Sequence, residues 1–327
     1  MEAVKRKPLM YKTPSFRISL IFISLIAFYS TNCASLETPN RLRKVIDLQG
    51  HRGARGLKPE NTWPAFEEAI KYKMVTLELD TVLTKDKRIV IHHDSDTNPV
   101  ICQNVNGSEI KKISLYELTL AELQSYDCGT KKNPNFPNQI PVPGTKLLSL
   151  EEFFEKVLFA EKKTKEIYEF NIETKFPDDG SAPDSLVKEH TEKLIQIIEK
   201  YKVTERSTIQ SFDLRTLTFS KAKNSKIKTS ALFVPTYFQG FLMTIGFGNG
   251  YRDKILSLTK DKQADIISPY FLYVTPKFVN EAHNKGIFVI PWTVNTEKEM
   301  KRLVSCGVDG IISDYPDLLD SVVRKKP

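Results

Sequence analysis

Nine short runs rich in branched apolar residues recur between positions 44 and 314, and helical patterning fills most of the gaps. The runs are 44–49, 75–80, 88–94, 168–174, 207–212, 229–234, 264–269, 287–294 and 309–314. Several are apolar on both faces, as strands of a parallel sheet covered on both sides must be. The stretch 63–73 follows Asn61-Thr62, with Pro64 in its first turn, a helix start. The stretch 149–163 opens with Ser149 and has Glu152 three residues on, a capping box. The stretch 184–201 gathers Leu186, Val187, Leu194, Ile195, Ile197 and Ile198 on one stripe. The stretches 275–286 and 295–307 each end on Gly. Strand–helix alternation repeated about eight times predicts an α/β fold, a (β/α)8 TIM barrel, with a doubly wound open sheet as the runner-up. Neither a strand-adjacent Gly-x-Gly-x-x-Gly nor a P-loop occurs, so nucleotide-binding versions lose weight. The run 88–94 is the extra strand. Lys85-Asp86-Lys87 is too short for a crossover helix, so a hairpin must join it to its predecessor.

Residues 95–146 break the rhythm, with many polar residues, an Asn-Gly pair and a Pro-rich tail. Only 114–126 looks helical. A segment this long in a compact domain usually has a role, and we read it as a small insertion after the His-Asp strand, over the open end of the barrel.

The formal charge of +8 over 327 residues overstates how basic the folded part is. Residues 1–32 hold five of the 48 basic side chains and one of the 40 acidic ones. The remainder is weakly basic and no nucleic-acid partner is expected. The basic start leads into the apolar run 18–29, short for a bilayer span but suited to a signal-peptide core. Ser30, Thr31 and Asn32 then lead to Cys33. This resembles the lipobox of bacterial lipoproteins, in which the Cys is the first mature residue and carries the lipid. It departs from that pattern, which has Leu three residues before the Cys and small residues directly before it. Expected are a signal segment over 1–32, a barrel over 45–325, and export to the periplasm or to a membrane-anchored state, through the segment itself or lipid on Cys33. Ordinary signal-peptidase cleavage is the alternative. Export permits disulfides; Cys102 and Cys128 flank one irregular segment and can bridge, or all three remaining thiols can be free.

Barrel enzymes work at the C-terminal ends of their strands. Those ends deliver His51 and Arg52, then Glu78 and Asp80, then His92, His93 and Asp94, then Glu173 and Lys175, Gln210, and lastly Trp292 and Asn295. Residues two apart on a strand face the same side, so Glu78 pairs with Asp80 and Glu173 with Lys175. Three carboxylates aimed at one spot repel unless a cation sits among them, and all-oxygen ligands suit Ca²⁺ or Mg²⁺ better than zinc. For any single acid, a rim salt bridge to Arg52 or Lys175 is the simpler reading; the collection favours a site. Two histidines can serve as general base and acid near neutral pH, and Arg52 and Lys175 can hold the non-bridging oxygens of a phosphate. His190 and His283 lie in amphipathic helices and are expected to be solvated.

Taken together, these residues resemble the glycerophosphodiester phosphodiesterase family. Its opening motif stands as His51-Arg52-Gly53 and Glu60-Asn61-Thr62, its Glu-x-Asp pair as Glu78-Leu79-Asp80, and its His-Asp strand end as His93-Asp94. Further on come Glu173-Thr174-Lys175, Gln210-Ser211-Phe212, Trp292-Thr293-Val294-Asn295 and the segment Asp309 to Pro316. The match spans roughly residues 45–320 in order; each motif is weak alone and the set is highly specific. The resemblance implies a divalent metal on Glu78, Asp80 and Glu173, with proton transfer by His51 and His93. It also implies hydrolysis of glycerophosphodiesters to glycerol 3-phosphate and an alcohol; in one proposal the substrate's own glycerol hydroxyl attacks phosphorus, giving a cyclic intermediate that water then opens. Trp292 packs on the glycerol or simply fills the barrel mouth. The segment 95–146 does not follow the family closely, which leaves the leaving group open. Two rivals are retained. One is a phospholipase D-like enzyme acting on lysophospholipid or sphingolipid, for which 233–248 is a candidate apolar loop. The other is a catalytically silent binding lipoprotein, disfavoured because no metal acid or histidine is missing.

Overall fold

The structure, a computed structural model, describes residues 45–177 and 179–324. The signal segment and Cys33 lie outside them. The described residues form eleven strands: β1 (Asp47–Gly50), β2 (Thr76–Leu83), β3 (Ile89–Ile91), β4 (Gln103–Asn104), β5 (Tyr126–Asp127), β6 (Glu169–Thr174), β7 (Ser207–Ser211), β8 (Lys228–Phe233), β9 (Ile266–Pro269), β10 (Phe288–Val289) and β11 (Gly310–Ser313). Eight of them form a parallel sheet in the order β10-β9-β8-β7-β6-β2-β1-β11. Its two edges meet through backbone bonds from Asp309 N to Val289 O (2.9 Å), Ile312 N to Pro291 O (3.0 Å) and Val294 N to Ile312 O (3.0 Å). The chain is therefore a (β/α)8 barrel, closed by these bonds. β3 pairs antiparallel with β2, the hairpin expected from Lys85-Asp86-Lys87.

Helices α1 (Trp63–Lys71), α3 (Leu150–Thr164), α4 (Asp184–Lys200), α5 (Leu214–Lys223), α6 (Tyr237–Thr244), α7 (Asn249–Asp261), α8 (Pro276–Asn284), α9 (Glu297–Cys306) and α10 (Pro316–Arg324) join the strands, and the short α2 (Leu120–Leu123) lies in the insertion. Strand alternation explains the core. Leu77, Leu79, Phe170, Ile172 and Ile209 point outward and pack with Phe66, Phe153 and Phe154 from the helices. Inside, one half of the barrel is polar: Asn171 Nδ2 donates to Gln49 Oε1 (2.8 Å) and Gln210 Oε1 (3.1 Å). Ile266, Ile290 and Ile312 fill another part. Register puts Asp80 beside Glu173, and Glu173 beside Gln210.

The run 287–294 is regular strand only at Phe288–Val289. Pro291 lacks a donor for the ladder, and pairing resumes as a single Tyr270–Trp292 bridge. The insertion carries an unanticipated ribbon, β4 with β5, and the Cys102–Cys128 disulfide. Of the stretch read as helical there, only Leu115–Glu117 (a 3₁₀ turn) and α2 are so. Both outlying histidines correct the expectation of solvation. His190 is fully buried, held by a 3.2 Å bond between its Nε2 and Thr81 Oγ1. It sits on the Val187–Thr191–Leu194 stripe that faces the sheet. His283 Nε2 lies 2.8 Å from Asp309 Oδ2.

Candidate active site

The loop after β1 turns so tightly that only Gly fits at two places. A Cβ on Gly50 would lie 2.2 Å from Gly53 O, and one on Gly53, at φ +81°, would lie 2.5 Å from Ala65 C in α1. Arg52 itself takes a left-handed φ of 49°, a conformation costly for a side chain and concentrated at functional sites. That geometry aims the Arg52 amide at Glu78 Oε2, 2.7 Å away.

His51 is buried, with Nδ1 2.6 Å from Asp314 Oδ1. Asp314 is fixed in turn by Asn295, whose Nδ2 donates to Oδ2 (2.6 Å) and whose Oδ1 accepts from the Asp314 amide (3.0 Å). Burial pushes the Asp314 carboxyl up, but His51 and Asn295 prevail and hold it below the usual range. An ionised carboxylate only accepts, so Nδ1 carries the proton and Nε2 is the basic nitrogen. Burial lowers the His51 pKa, against the raising effect of Asp314. Nε2 lies 4.0 Å from Glu78 Oε2. Asp314 is the functional residue that sequence reasoning passed over. It was noted only as part of a motif, though it follows β11, the strand paired with β1.

Glu78, Asp80 and Glu173 converge as their spacing requires, all buried, each offering one oxygen within 4.8 Å of the others. Two oxygens on one Ca²⁺, each 2.3–2.6 Å from it, are at most about 5 Å apart, so the set fits one hard cation. Asp80 Oδ1 supplies a second test, being buried with no hydrogen-bond partner. The like charges strain the group. Burial, then Asp80 and Glu173, raise Glu78 well above the ordinary range. Burial raises Glu173 to about 7, with Asp80 adding and Lys175 opposing. Asp80 is the exception, because Arg52 and His93 outweigh burial and depress it. Surrounding groups orient the acids: Gln210 Nε2 donates to Glu78 Oε1 (2.8 Å) and Asn61 Nδ2 to Asp80 Oδ2 (2.9 Å).

The two cations are close by. Lys175 Nζ lies 2.7 Å from Glu173 Oε1 and 3.7 Å from Asp80 Oδ1. Arg52 Nη1 donates to Glu60 Oε1 (2.6 Å), and Nε lies 3.1 Å from Asp80 Oδ2. Both the salt-bridge reading and the convergence reading of the acids are thus present in one cluster. His93 mirrors His51, its Nδ1 2.7 Å from Asp94 Oδ1. Its pKa is lowered by desolvation, then by Arg52 and Lys175, against Asp80 and Asp94. His92 turns away, its Nδ1 accepting from the Asp94 amide (3.1 Å). Trp292 stands apart on the wall, donating Nε1–H to Ser268 O (2.8 Å) and meeting Phe212 edge-on at 5.5 Å. Phe212 lies 5.8 Å from Lys175 Nζ. The insertion reaches this region, where Asn133 Nδ2 donates to Glu60 Oε2 (3.3 Å) and Gln139 Nε2 to Arg55 O (2.8 Å).

The model of the Glycerophosphoryl diester phosphodiesterase family matches residues 51–318. A glycerophosphodiester phosphodiesterase of Caldanaerobacter subterraneus subsp. tengcongensis is 30% identical over 275 residues, covering 84% of this chain and 96% of that protein. A lysophospholipase D of Homo sapiens is 25% identical over 288 residues, 82% of this chain and 83% of that one. A crystal structure from Silicibacter pomeroyi DSS-3, assigned to glycerophosphoryl diester phosphodiesterase, superposes with a TM-score of 0.75 at 26% identity, covering 86% and 93% of the two chains. An Oleispira antarctica phosphodiesterase, solved with the product sn-glycerol-3-phosphate, shares the fold at a TM-score of 0.64 and 20% identity, covering 85% and 97%. The chain belongs to the glycerophosphoryl diester phosphodiesterase family.

Proposed function

We propose that this chain is a metal-dependent phosphoric diester hydrolase. It cleaves small glycerophosphodiesters to glycerol 3-phosphate and an alcohol, with His51 and His93 moving the protons. The observation that carries the reading is one cluster. Three buried acids, Glu78, Asp80 and Glu173, lie at the strand ends, beside two histidines that each have Nδ1 on a carboxylate. Family membership supports the activity class.

Glu78, Asp80 and Glu173 would hold a divalent cation, for which we favour Ca²⁺ or Mg²⁺. Bound there, it supplies positive charge to the phosphate oxygens. The side chains do the rest. Lys175 and the remaining N–H groups of Arg52 hold non-bridging oxygens, a role Arg suits by its fixed fork. One imidazole Nε2 takes the proton of the attacking glycerol hydroxyl as its oxygen bonds to phosphorus, and the other gives a proton to the alcohol oxygen whose bond to phosphorus breaks; water then opens the cyclic phosphodiester to glycerol 3-phosphate, with the two imidazoles exchanging roles. Asp314 and Asp94 keep each ring turned for that work. Trp292 packs on the glycerol. A lysophospholipid is the second reading, favoured by the exposed apolar face of α6. We also place the protein outside the cytoplasm, held to a membrane through the apolar run 18–29 or through lipid on Cys33. No helix among the described residues is long and apolar enough to cross a membrane.

Single-turnover hydrolysis of glycerophosphocholine by His51→Ala and His93→Ala tests the roles. Each variant is expected to lose about 10²–10⁴-fold in rate, the range for a general acid or base, with the thermal midpoint kept. Rates within threefold of wild type for either would remove that histidine from the mechanism.

A further inference from the structure

Helix α6 is amphipathic in the wrong sense for a surface helix. Its inner side buries Met243, while Tyr237, Phe238, Phe241 and Ile245 fall within about 100° of arc and face solvent. Tyr237 is 68% exposed, Phe238 67% and Phe241 59%, with Phe247 just beyond the helix at 71%. At about 200 Å² per aromatic side chain, the patch offers about 600 Å² of exposed surface, at the upper end of what monomers normally show. The helix is well made. Thr236 and Gln239 form a reciprocal cap, so the outward apolar face belongs to a formed element.

Position gives the patch meaning. α6 follows β8 at the C-terminal end of the barrel, the end that carries the acids and histidines. It packs against the turn Phe271–Tyr273. From there an aromatic wall runs inward. Phe271 meets Tyr270 at 4.5 Å, Tyr270 meets Trp292 at 5.8 Å, and Trp292 meets Phe212 at 5.5 Å, next to Lys175. Residues 229–251 contain no charged side chain, so a partner that recognises by ion pairs finds nothing to grip. A lipid surface needs no directional contacts. The apolar run 18–29 is joined to Val45 by residues 30–44, which reach at most about 50 Å when extended. A membrane anchor on that run would hold Val45 within about 50 Å of the bilayer.

We propose that the α6 face is a phospholipid-bilayer docking surface, which sets the mouth of the barrel against the membrane so that an acylated glycerophosphodiester reaches the site along the Phe271–Trp292 wall. The docking stands by itself; the cleavage of lipid-borne substrate rests on the second reading of the proposed function, a lysophospholipid.

The test uses the full chain with phosphatidylcholine vesicles carrying brominated acyl chains. In a Phe241→Trp variant the new indole is expected to emit further to the blue when vesicles are added. Bromine should quench it at least twofold more than the native Trp63 and Trp292 signal of wild type. Quenching equal to wild type while the protein remains vesicle-bound would overturn the proposal, since the N-terminal run alone would then be holding it. So would a blue shift without lipid that grows with protein concentration, which would assign the face to a second copy. The paired variant Phe238→Ser with Phe241→Ser should release choline from soluble glycerophosphocholine within twofold of wild type. It should release choline from vesicle-borne lysophosphatidylcholine about tenfold more slowly. Equal loss on both substrates would contradict docking. If wild type cleaves neither substrate, the hydrolase reading fails, and the quenching result still decides the docking.

Discussion

Replacing Asp314 by Asn removes one charge and changes one proton while leaving the volume nearly unchanged. In the native arrangement Asp314 Oδ1 accepts from His51 Nδ1 at 2.6 Å, and Oδ2 accepts from Asn295 at 2.6 Å. His51 and Asp314 are both buried, so water cannot replace the bond between them. A hydrogen bond to a charged group contributes about 1.5–3 kcal/mol, and its loss alone corresponds to a rate effect of about 10- to 150-fold. The amide adds a second penalty. If its Nδ2 turns to the ring, it donates to Nδ1 and forces the proton to Nε2, the nitrogen that must accept one. Burial already lowers the His51 pKa, and the carboxylate that opposes this is gone. We expect kcat for glycerophosphocholine to fall about 10²- to 10⁴-fold with KM changed little, because the substrate-binding groups are untouched. Asn295→Ala should cost less, about tenfold, since Asp314 stays but loses a 2.6 Å partner, a half-buried bond at the lower end of that same range, about 1.5 kcal/mol. Choline release measured across substrate concentration separates kcat from KM, and thermal unfolding separates chemistry from folding. An Asp314→Asn enzyme within threefold of wild type would refute the idea that this carboxylate sets the imidazole's tautomer.

Other consequences follow from particular contacts. His190, buried and held down to about 3 by desolvation, is charged in the unfolded chain below about pH 6.5 but neutral in the fold. The unfolded state therefore takes up the extra proton, and stability falls as pH drops from about 6.5 toward 3, by up to about 5 kcal/mol from this group; His190→Gln should flatten that limb in a series of melts from pH 7 to pH 4. Opening the Cys102–Cys128 bridge, whose partners are 26 residues apart, should destabilise the insertion by about 3 kcal/mol on the chain-entropy model, read by denaturant unfolding with and without reductant. Adding Ca²⁺ or Mg²⁺ at a hundredfold excess over Kd should stabilise the fold by about 2.7 kcal/mol, a rise of about 5–10 °C in Tm. Glu173→Gln should abolish that rise, and an unchanged rise would place the ion elsewhere.

The barrel was readable because alternation and hairpin length are local properties. Glu78 and Asp80 interrupt Leu77 and Leu79 at period two, which fixes the inward face, and the five residues between β2 and β3, Thr84 to Arg88, permit only a hairpin. Convergence of Glu78, Asp80 and Glu173 also followed, since a parallel barrel puts all strand ends on one rim. What escaped depends on distant contacts. Asp314 is 263 residues from His51 and becomes its partner only when β11 pairs with β1. His190 looked like one more polar residue on a helix until α4 was turned against β2. Most of the edge run 287–294 is apolar enough to read as strand, but Pro291 and closure against β11 left only Phe288–Val289 regular. The stretch 233–248 reads as an apolar loop; within it Tyr237–Thr244 is a capped helix with its aromatic face outward, a result no periodicity count contains.

On the proposed mechanism, one divalent ion on Glu78, Asp80 and Glu173 works with His51 in the hydrolysis of a glycerophosphodiester. The most direct measurement is glycerol 3-phosphate release from glycerophosphocholine by EDTA-stripped protein titrated with Ca²⁺ or Mg²⁺, with ion binding followed by calorimetry on the same sample. Expected are no release without metal, recovery that saturates with one ion bound per chain, and release about 10²–10⁴-fold slower at every metal concentration for His51→Ala. Full release by stripped protein, or binding of the ion with no release from any glycerophosphodiester, would contradict that mechanism.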